Sequence, residues 1–426
     1  MAMKTQIWCF LLLCSASVAV GARMIAQEGG SACKNLNVKT VTYLSPPLTA
    51  KPGEANNKYF TAEYPKGHIG IRSVNADLVD QNGIAIPLFE NYLHHWILLE
   101  VAVAKDHPER HLHHMMHRMR RHHKHGMHMD ATMIAALEAP HHNKVGRFPN
   151  GKVRNFLGKG GETRHTDSRL PLPYVKESGV ELEGYENRWI LNVHGLDTRG
   201  AVDHIGCSEC RCHLYNTTTD EDGEPLPDGY IGGLRCCTDG RQCAVKEGFN
   251  GEEITFHLRY TWEYIDWNEC LVPVTNLGID VTNPTGFGEN LIEFTVDGCG
   301  DADPNSEECL DTRVAYLNAP EGGEVVYSVS HLHSSILDAS IWGEDGRLIC
   351  RTTPLYGNGH EAGNEKDYVV GIKNCIGNPG APDSMKIKQG ERLKYIVVST
   401  KVGGPHTGLM GLAGIQFVSD GVKSAI

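Results

Sequence analysis

Three features are missing from this sequence. After residue 22 there is no uninterrupted apolar run of the roughly 18 residues that a membrane-spanning helix needs. Positive charge is not in excess, because 40 Lys and Arg oppose 52 Asp and Glu and leave a formal net charge of −12. The sequence also shows no internal repeat. The acidic balance argues against nucleic-acid binding and against a basic membrane-binding surface, so we expect neither partner.

The first 22 residues have the pattern of a secretion signal. Lys4 precedes an apolar run from Ile7 to Val20, and small residues follow at Gly21 and Ala22. This arrangement predicts a signal peptide over residues 1–22 that is cleaved after Ala22. We therefore expect a secreted protein that matures in an oxidising compartment.

Twelve cysteines remain after residue 22, which allows up to six disulfides whose pairing the sequence does not fix. Six of them cluster in an insertion over residues 207–243, where the spacing is also compatible with a zinc site. An oxidising compartment favours disulfides over zinc there. Asn216 begins a glycosylation sequon in the same insertion.

The 47 Gly, the 20 Pro and many short β-rich runs predict an all-β chain. The 426 residues are too many for one core. We predict an N-terminal domain over residues 34–275 and a C-terminal domain over residues 276–426. A tract over residues 107–142 carries eleven His among Met, Arg and Lys without a core-forming apolar pattern. We predict a loop that binds Cu or Zn loosely, or a solvated loop without a metal role.

Five histidines outside that tract are candidate metal ligands. His331 and His333 share one face if their strand continues through residue 333, so they can close on one ion; otherwise they are unrelated surface residues. His94 and His95 are adjacent and can share an ion only at a strand end or a bulge. His194 lies near the end of a predicted strand, where a lone His is usually structural.

The order His-His, lone His, His-x-His and late Met resembles the type II copper monooxygenases, which include peptidylglycine α-hydroxylating monooxygenase and dopamine β-monooxygenase. The resemblance implies two antiparallel, jelly-roll-like β-sandwiches that face each other across a cleft. It also implies two copper ions and ascorbate as the electron donor. One copper would store an electron on His94, His95 and His194. The other would react with O2 and the substrate on His331, His333 and Met410, although an apolar core position is the ordinary interpretation of this Met.

Two longer segments, GETRHTDSRLPLPY (residues 161–174) and SHLHSSILDASIWG (residues 330–343), resemble the plant stress up-regulated nodulin-19 family. The sequence departs from the peptidylglycine enzyme, with Val329 where that enzyme has an Arg for the peptide carboxylate and with Trp96 in place of a Met. We therefore expect a small apolar or phenolic substrate. The predicted function is hydroxylation of a substrate C–H bond by a copper-dependent monooxygenase of the apoplast or cell wall. The alternative is a non-catalytic copper-binding or cell-wall stress protein that retains the fold.

Overall fold

The computed structural model describes residues 36–124, 147–148, 151–209, 211, 218–219, 225–226, 228–233, 243–284, 292–382 and 384–423. The predicted signal peptide lies outside these ranges. The strands of the first half are β1 (Lys39–Leu44), β2 (Leu48–Ala50), β3 (Ala55–Thr61), β4 (Ile69–Asp80), β5 (Asn91–Ala104), β6 (Arg147–Phe148), β7 (Gly151–Lys159), β8 (Tyr174–Ser178), β9 (Tyr185–Asp197), β10 (Ile254–Asp266) and β11 (Val272–Pro273).

The strands of the second half are β12 (Thr275–Asp280), β13 (Glu293–Val296), β14 (Leu310–Asn318), β15 (Gly323–Leu332), β16 (Ile336–Trp342), β17 (Leu348–Tyr356), β18 (Val369–Lys373), β19 (Cys375–Ile376), β20 (Lys386–Ile387), β21 (Arg392–Thr400) and β22 (His406–Ser419). The helices are α1 (Pro108–Lys124), α2 (His204–Ser208) and α3 (Asp420–Lys423), with 3-10 turns η1 (Gly161–Arg164) and η2 (Glu307–Cys309). No helix among the described residues is long and apolar enough to cross a membrane.

The strands form four sheets that are antiparallel except for the short β8–β11 pair. Sheet 1 has the order β1-β10-β4-β8-β11, with β2 on β10, and sheet 2 has the order β3-β9-β5-β7-β6. Sheet 3 has the order β12-β22-β15-β19, with β13 on β22 and β20 on β15. Sheet 4 has the order β14-β21-β16-β17-β18. The all-β prediction is confirmed, while the domain boundary near residue 275 stays a prediction.

Alternating apolar residues build two main cores. Phe256, Leu258, Tyr260 and Trp262 of β10 are all buried, because every second side chain of a strand points to the same face. They pack with residues of sheet 2, including Trp189 of β9. The second core lies among residues of sheets 3 and 4, including Phe417, Tyr395 and Leu393.

The predicted His-rich loop is wrong over its first part, because residues 108–124 form helix α1. Pro108 stands at the first helical position, where its missing N–H costs nothing, and Glu109 follows in the first turn. Leu112 and Met115, three residues apart, are buried against residues of β5 that include Val101. Two apolar side chains in one stripe are enough to attach the helix but too few to reveal it in the sequence. Residues 125–142 lie outside the described residues.

Three disulfides are present in the described residues: Cys207–Cys243, Cys299–Cys309 and Cys350–Cys375. Cys270 is disulfide-bonded as well. The disulfide prediction for the Cys-rich insertion is therefore confirmed at its two ends. Its other four cysteines, Cys210, Cys212, Cys236 and Cys237, lie outside the described residues.

Candidate metal centre

A β-bulge brings His94, His95 and His194 together. The pairing of β5 with β9 matches Leu93 with Gly195 but His95 with His194, so His94 is the extra residue of the bulge. A regular strand would point His94 and His95 to opposite faces, and the bulge removes that restriction. One nitrogen atom from each of the three imidazoles lies within 4.8 Å of the others.

The three imidazoles are buried and closely spaced. His194 is fully buried, and His94 and His95 are 3% and 9% exposed. The Nδ1 atoms of His94 and His95 are 3.2 Å apart. Two nitrogens bound to one tetrahedral metal at 2.0–2.1 Å would lie about 3.3 Å apart, so this pair already has the spacing of two ligands.

Asn192 fixes the orientation of His95. Its Oδ1 accepts a hydrogen bond of 2.8 Å from His95 Nε2, which leaves Nδ1 of His95 as the lone-pair nitrogen that faces His94. The Asn192 amide is itself fixed, because its Nδ2 donates to Asn57 Oδ1 at 2.6 Å and to Lys58 O at 3.1 Å. An acceptor on the outer nitrogen of a His is the usual companion of a metal ligand.

His331 and His333 form a second pair at the end of β15. Their Nε2 atoms are 3.2 Å apart, again the spacing of two ligands on one ion. Nδ1 of His331 lies 2.5 Å from Glu162 Oε1, in a carboxylate–histidine arrangement typical of metal sites. Glu162 belongs to η1, and its other oxygen accepts a hydrogen bond of 2.8 Å from the backbone N–H of Gly160.

The two groups meet at His94 and His333. Their ring centroids are 5.4 Å apart in an edge-to-face arrangement. Gly160 fits between the groups, since an added Cβ would lie 2.5 Å from His94 O and 3.3 Å from the ring of His331. Five imidazoles therefore form one contiguous cluster.

Strand register places Met410 on the same face as the His331–His333 pair. In β15 and β22, His331 is paired with Leu412 and Leu332 with Gly411, so the next pair in register would be His333 with Met410. Met410 is 6% exposed and is absent from the sheet 3 and sheet 4 core. The prediction that Met410 is a ligand remains a prediction.

A cavity of about 690 Å³ lies next to β22, the strand that carries Met410. Glu293 of β13 is paired with Met410 and lines this cavity. Gly408 also lines it, and its backbone forms a hydrogen bond with the His333 side chain. This cavity and the His331–His333 pair thus both lie next to β22, which contacts His333 through the backbone of Gly408.

The electrostatics leave lone pairs available for a metal. Burial, together with the neighbouring imidazoles, holds the pKa of His94 well below its usual range. Burial and the adjacent His331 lower the pKa of His333 to about 3. Burial opposes protonation of His331, but the charge and hydrogen bond of Glu162 outweigh it and raise the pKa of His331. His331 can therefore share its Nε2 proton with His333, and an ion bound at this pair would displace that proton.

The donor set fits copper. Imidazole nitrogens suit Cu and Zn, and a thioether at Met410 would favour Cu(I). Sequence patterns did not indicate Glu162 or Asn192, which contact His331 and His95. A signal was present for both, since Glu162 lies in the GETRHTDSRLPLPY segment and Asn192 lies two residues before His194 on the same strand face. A carboxylate or amide on its own, however, does not indicate which imidazole it contacts.

Comparisons with solved structures give distant likenesses. The chain is similar to the STIV MCP at 9% identity (TM-score 0.23), covering 90% of this chain and 96% of that one. It is similar to the Cry4Aa toxin from Bacillus thuringiensis at 7% identity (TM-score 0.18; 91% and 59% covered). It is also similar to the infectious bursal disease virus VP2 subviral particle at 12% identity (TM-score 0.18; 92% and 73% covered). Scores this low carry no conclusion about function.

The sequence comparison gives a firmer result. No curated protein matches the chain. The sequence profile described as "Stress up-regulated Nod 19" matches residues 36–420, which includes the whole imidazole cluster. The chain belongs to the stress up-regulated Nod 19 family.

Proposed function

We propose that this chain is a secreted copper protein that hydroxylates a C–H bond of a small substrate with O2 and ascorbate. One observation carries the proposal: two nitrogen pairs, each 3.2 Å apart, converge while acceptors hold the outer nitrogens of His95 and His331. Each 3.2 Å separation also fits an N–H···N hydrogen bond, but the convergence of five buried imidazoles and the acceptors on their outer nitrogens favour a metal centre. Two such pairs in one buried cluster favour two metal ions.

The residues of the chain have distinct roles in this proposal. His94, His95 and His194 would hold one copper, and His331, His333 and Met410 the other. Copper, when bound, supplies one-electron redox chemistry between Cu(I) and Cu(II). Asn192 and Glu162 keep the imidazoles in ligand tautomers, and burial of the cluster excludes bulk water. Ascorbate would deliver the two electrons that reduce the second oxygen atom of O2 to water while the first enters the substrate.

The cavity beside Met410 suits a small substrate. Its wall combines apolar side chains such as Phe294 and Val281 with the hydroxyl-bearing Tyr230 and the carboxylate of Glu293. Pockets that bind small molecules commonly combine an apolar wall with a few polar groups in this way. This composition supports an apolar or phenolic substrate.

The alternative is a non-catalytic copper-binding protein, and the burial of the imidazole cluster favours this alternative. His94, His95, His194 and His333 are each at most 9% exposed. A substrate therefore has little direct access to a metal ion bound by these side chains. Both candidate functions share the metal centre and the compartment. The disulfides of the described residues are typical of chains that mature under oxidising conditions, which supports secretion.

Copper content tests the metal centre. We expect two tightly held copper ions per chain after reconstitution and a wash with a weak chelator that strips the exposed His of α1. His194→Gln and His333→Gln should each lose one ion. His257→Gln is the matched control, because His257 is a lone strand His that contacts Ser45 O outside the cluster. Copper content unchanged in both cluster variants would refute the assignment.

Oxygen uptake separates the two functions. A monooxygenase should consume O2 with ascorbate when a phenolic substrate is supplied, and His333→Gln should abolish this uptake. A protein that holds two copper ions without substrate-dependent uptake, over a panel of apolar and phenolic compounds, would be the non-catalytic alternative. Substitution of the α1 histidines is preferable to deletion of residues 107–142, because Leu112 and Met115 of that segment belong to a core.

A further inference from the structure

The outer face of sheet 4 carries an aromatic–cation–aromatic row that shares no residue with the imidazole cluster. Lys394 of β21 is paired on one side with Tyr316 of β14 and on the other with Trp342 of β16. Directly paired residues of neighbouring strands point to the same face. The alternate residues Leu393 and Tyr395 are buried in the core, so the row faces outward.

The row lines a surface cavity of about 570 Å³. Arg392 adds a second cation, with its guanidinium carbon 4.0 Å from the centroid of the Tyr316 ring. The Trp342 indole is held in place, because its Nε1–H donates to Ser340 Oγ at 2.9 Å. The turn that contains Gly343 and Glu344 forms one wall of the cavity.

Neither cation forms an ion pair within the described part of the chain. Among the residues that the structure describes, no Asp or Glu forms an ion pair with Arg392 or Lys394. Glu344 lines the cavity, but its Oε2 accepts from the backbone N–H of Arg392 at 3.4 Å. The neighbouring Arg347 is already paired with Asp345 at 2.7 Å and with Glu391 at 2.6 Å. Two cations without an ion pair among the described residues, in a chain of formal net charge −12, favour an anionic ligand.

The chemistry of the row specifies which anion. Aromatic rings pack against the C–H face of a pyranose ring, and guanidinium and ammonium groups pair with carboxylates. We propose that this face of sheet 4 binds a carboxylated oligosaccharide, with a sugar ring on Trp342 and carboxylates on Lys394 and on Arg392, whose guanidinium stacks on Tyr316. The site shares no residue with the metal centre, so it does not depend on the copper proposal.

Calorimetric titration with trigalacturonate tests the site. The methyl ester of trigalacturonate is the control ligand, because it keeps the sugar rings and lacks the negative charges. We expect the acid to bind and the ester to bind at least about tenfold more weakly, since the charge-assisted bonds are lost. Lys394→Met and Arg392→Met should each weaken binding about tenfold. Trp342→Ala should abolish binding, and Trp342→Phe should retain it. Added salt should weaken binding of the acid.

Arg351→Met is the matched protein control. Arg351 faces the same side of sheet 4, paired in register with Ser340, but its guanidinium already contacts Asp338 at 2.9 Å. This variant should bind trigalacturonate like the wild type. The proposal is overturned if the acid and the ester bind with equal affinity, or if trigalacturonate does not bind. It is also overturned if Arg351→Met weakens binding as much as Lys394→Met and Arg392→Met do. Equal binding of poly-glutamate would also overturn it, because a generic cationic patch needs no sugar ring. Thermal unfolding of each variant identifies any that fail to fold, and Lys394→Gln then replaces Lys394→Met.

Discussion

Asn192→Ala should remove the hydrogen bond that orients the His95 ring while leaving every candidate metal ligand in place. In the wild type, the Asn192 amide accepts from His95 Nε2 at 2.8 Å and donates to Asn57 and Lys58. Alanine leaves the buried Nε2–H of His95 without this acceptor. A buried donor that loses its partner costs about 1–3 kcal/mol, which should appear as reduced stability of the metal-free protein.

The larger effect should be on metal affinity. Loss of an outer hydrogen-bond partner typically weakens metal binding about 10–100-fold. At about 1.4 kcal/mol per tenfold change, this corresponds to roughly 1.4–2.8 kcal/mol of binding free energy. Competition with a chromogenic Cu(I) chelator measures the affinity of each ion, and electron paramagnetic resonance of the Cu(II) form reports whether the nitrogen ligands have changed.

Two further variants make the test specific. Asn192→Asp keeps an acceptor for His95 but loses the Nδ2 donor to Asn57 and Lys58, so its copper affinity should lie between those of the alanine variant and the wild type. Glu162→Gln removes the charge beside His331 and should weaken the His331–His333 ion by about tenfold. If Asn192→Ala leaves copper affinity unchanged, or if Asn192→Asp binds as weakly as the alanine variant, then this hydrogen bond does not orient a ligand.

Four other expectations follow from the structure. Met410→Leu conserves side-chain volume and should lower the free energy of unfolding by less than about 1.5 kcal/mol. Its Cu(I) affinity should fall while its Cu(II) affinity is retained. Unchanged Cu(I) affinity would show that Met410 only packs and is not a ligand. Burial opposes a charge on His406, but the hydrogen bond and charge of Glu209 outweigh it and raise the pKa of His406. The interaction of protonated His406 with Glu209 therefore stabilises the folded protein fully below a pH of about 6.5, and this stabilisation is lost as the pH rises through the folded pKa. The difference in free energy of unfolding between the wild type and His406→Asn, measured in urea, should be larger at pH 6 than at pH 8. Gly160→Ala places a Cβ 2.5 Å from a backbone oxygen, so both copper affinities and the melting temperature should fall together. Leu112→Ala should cost about 2–5 kcal/mol if α1 is packed as described, and a silent substitution in thermal unfolding would contradict that packing.

The fold class and the candidate ligands could be predicted largely from the sequence. The period-two burial of β10 follows directly from its alternating residues, and an all-β chain followed from such segments. An even number of cysteines predicted disulfides. The adjacent His94 and His95 could share an ion only at a strand end or a bulge, and the register shift between Leu93 and His95 is a bulge.

The tertiary structure decided the rest. The sequence pattern fixes which face a side chain occupies, but not which strands become neighbours or where a register shifts. The contact between His331 and Glu162 spans 169 residues, and that between His95 and Asn192 spans 97. Neither the meeting of His94 with His333 nor the fit of Gly160 between the two groups follows from local periodicity. Residue types and spacing are local properties of the chain, whereas the convergence of five imidazoles depends on how four sheets pack, which long-range burial determines.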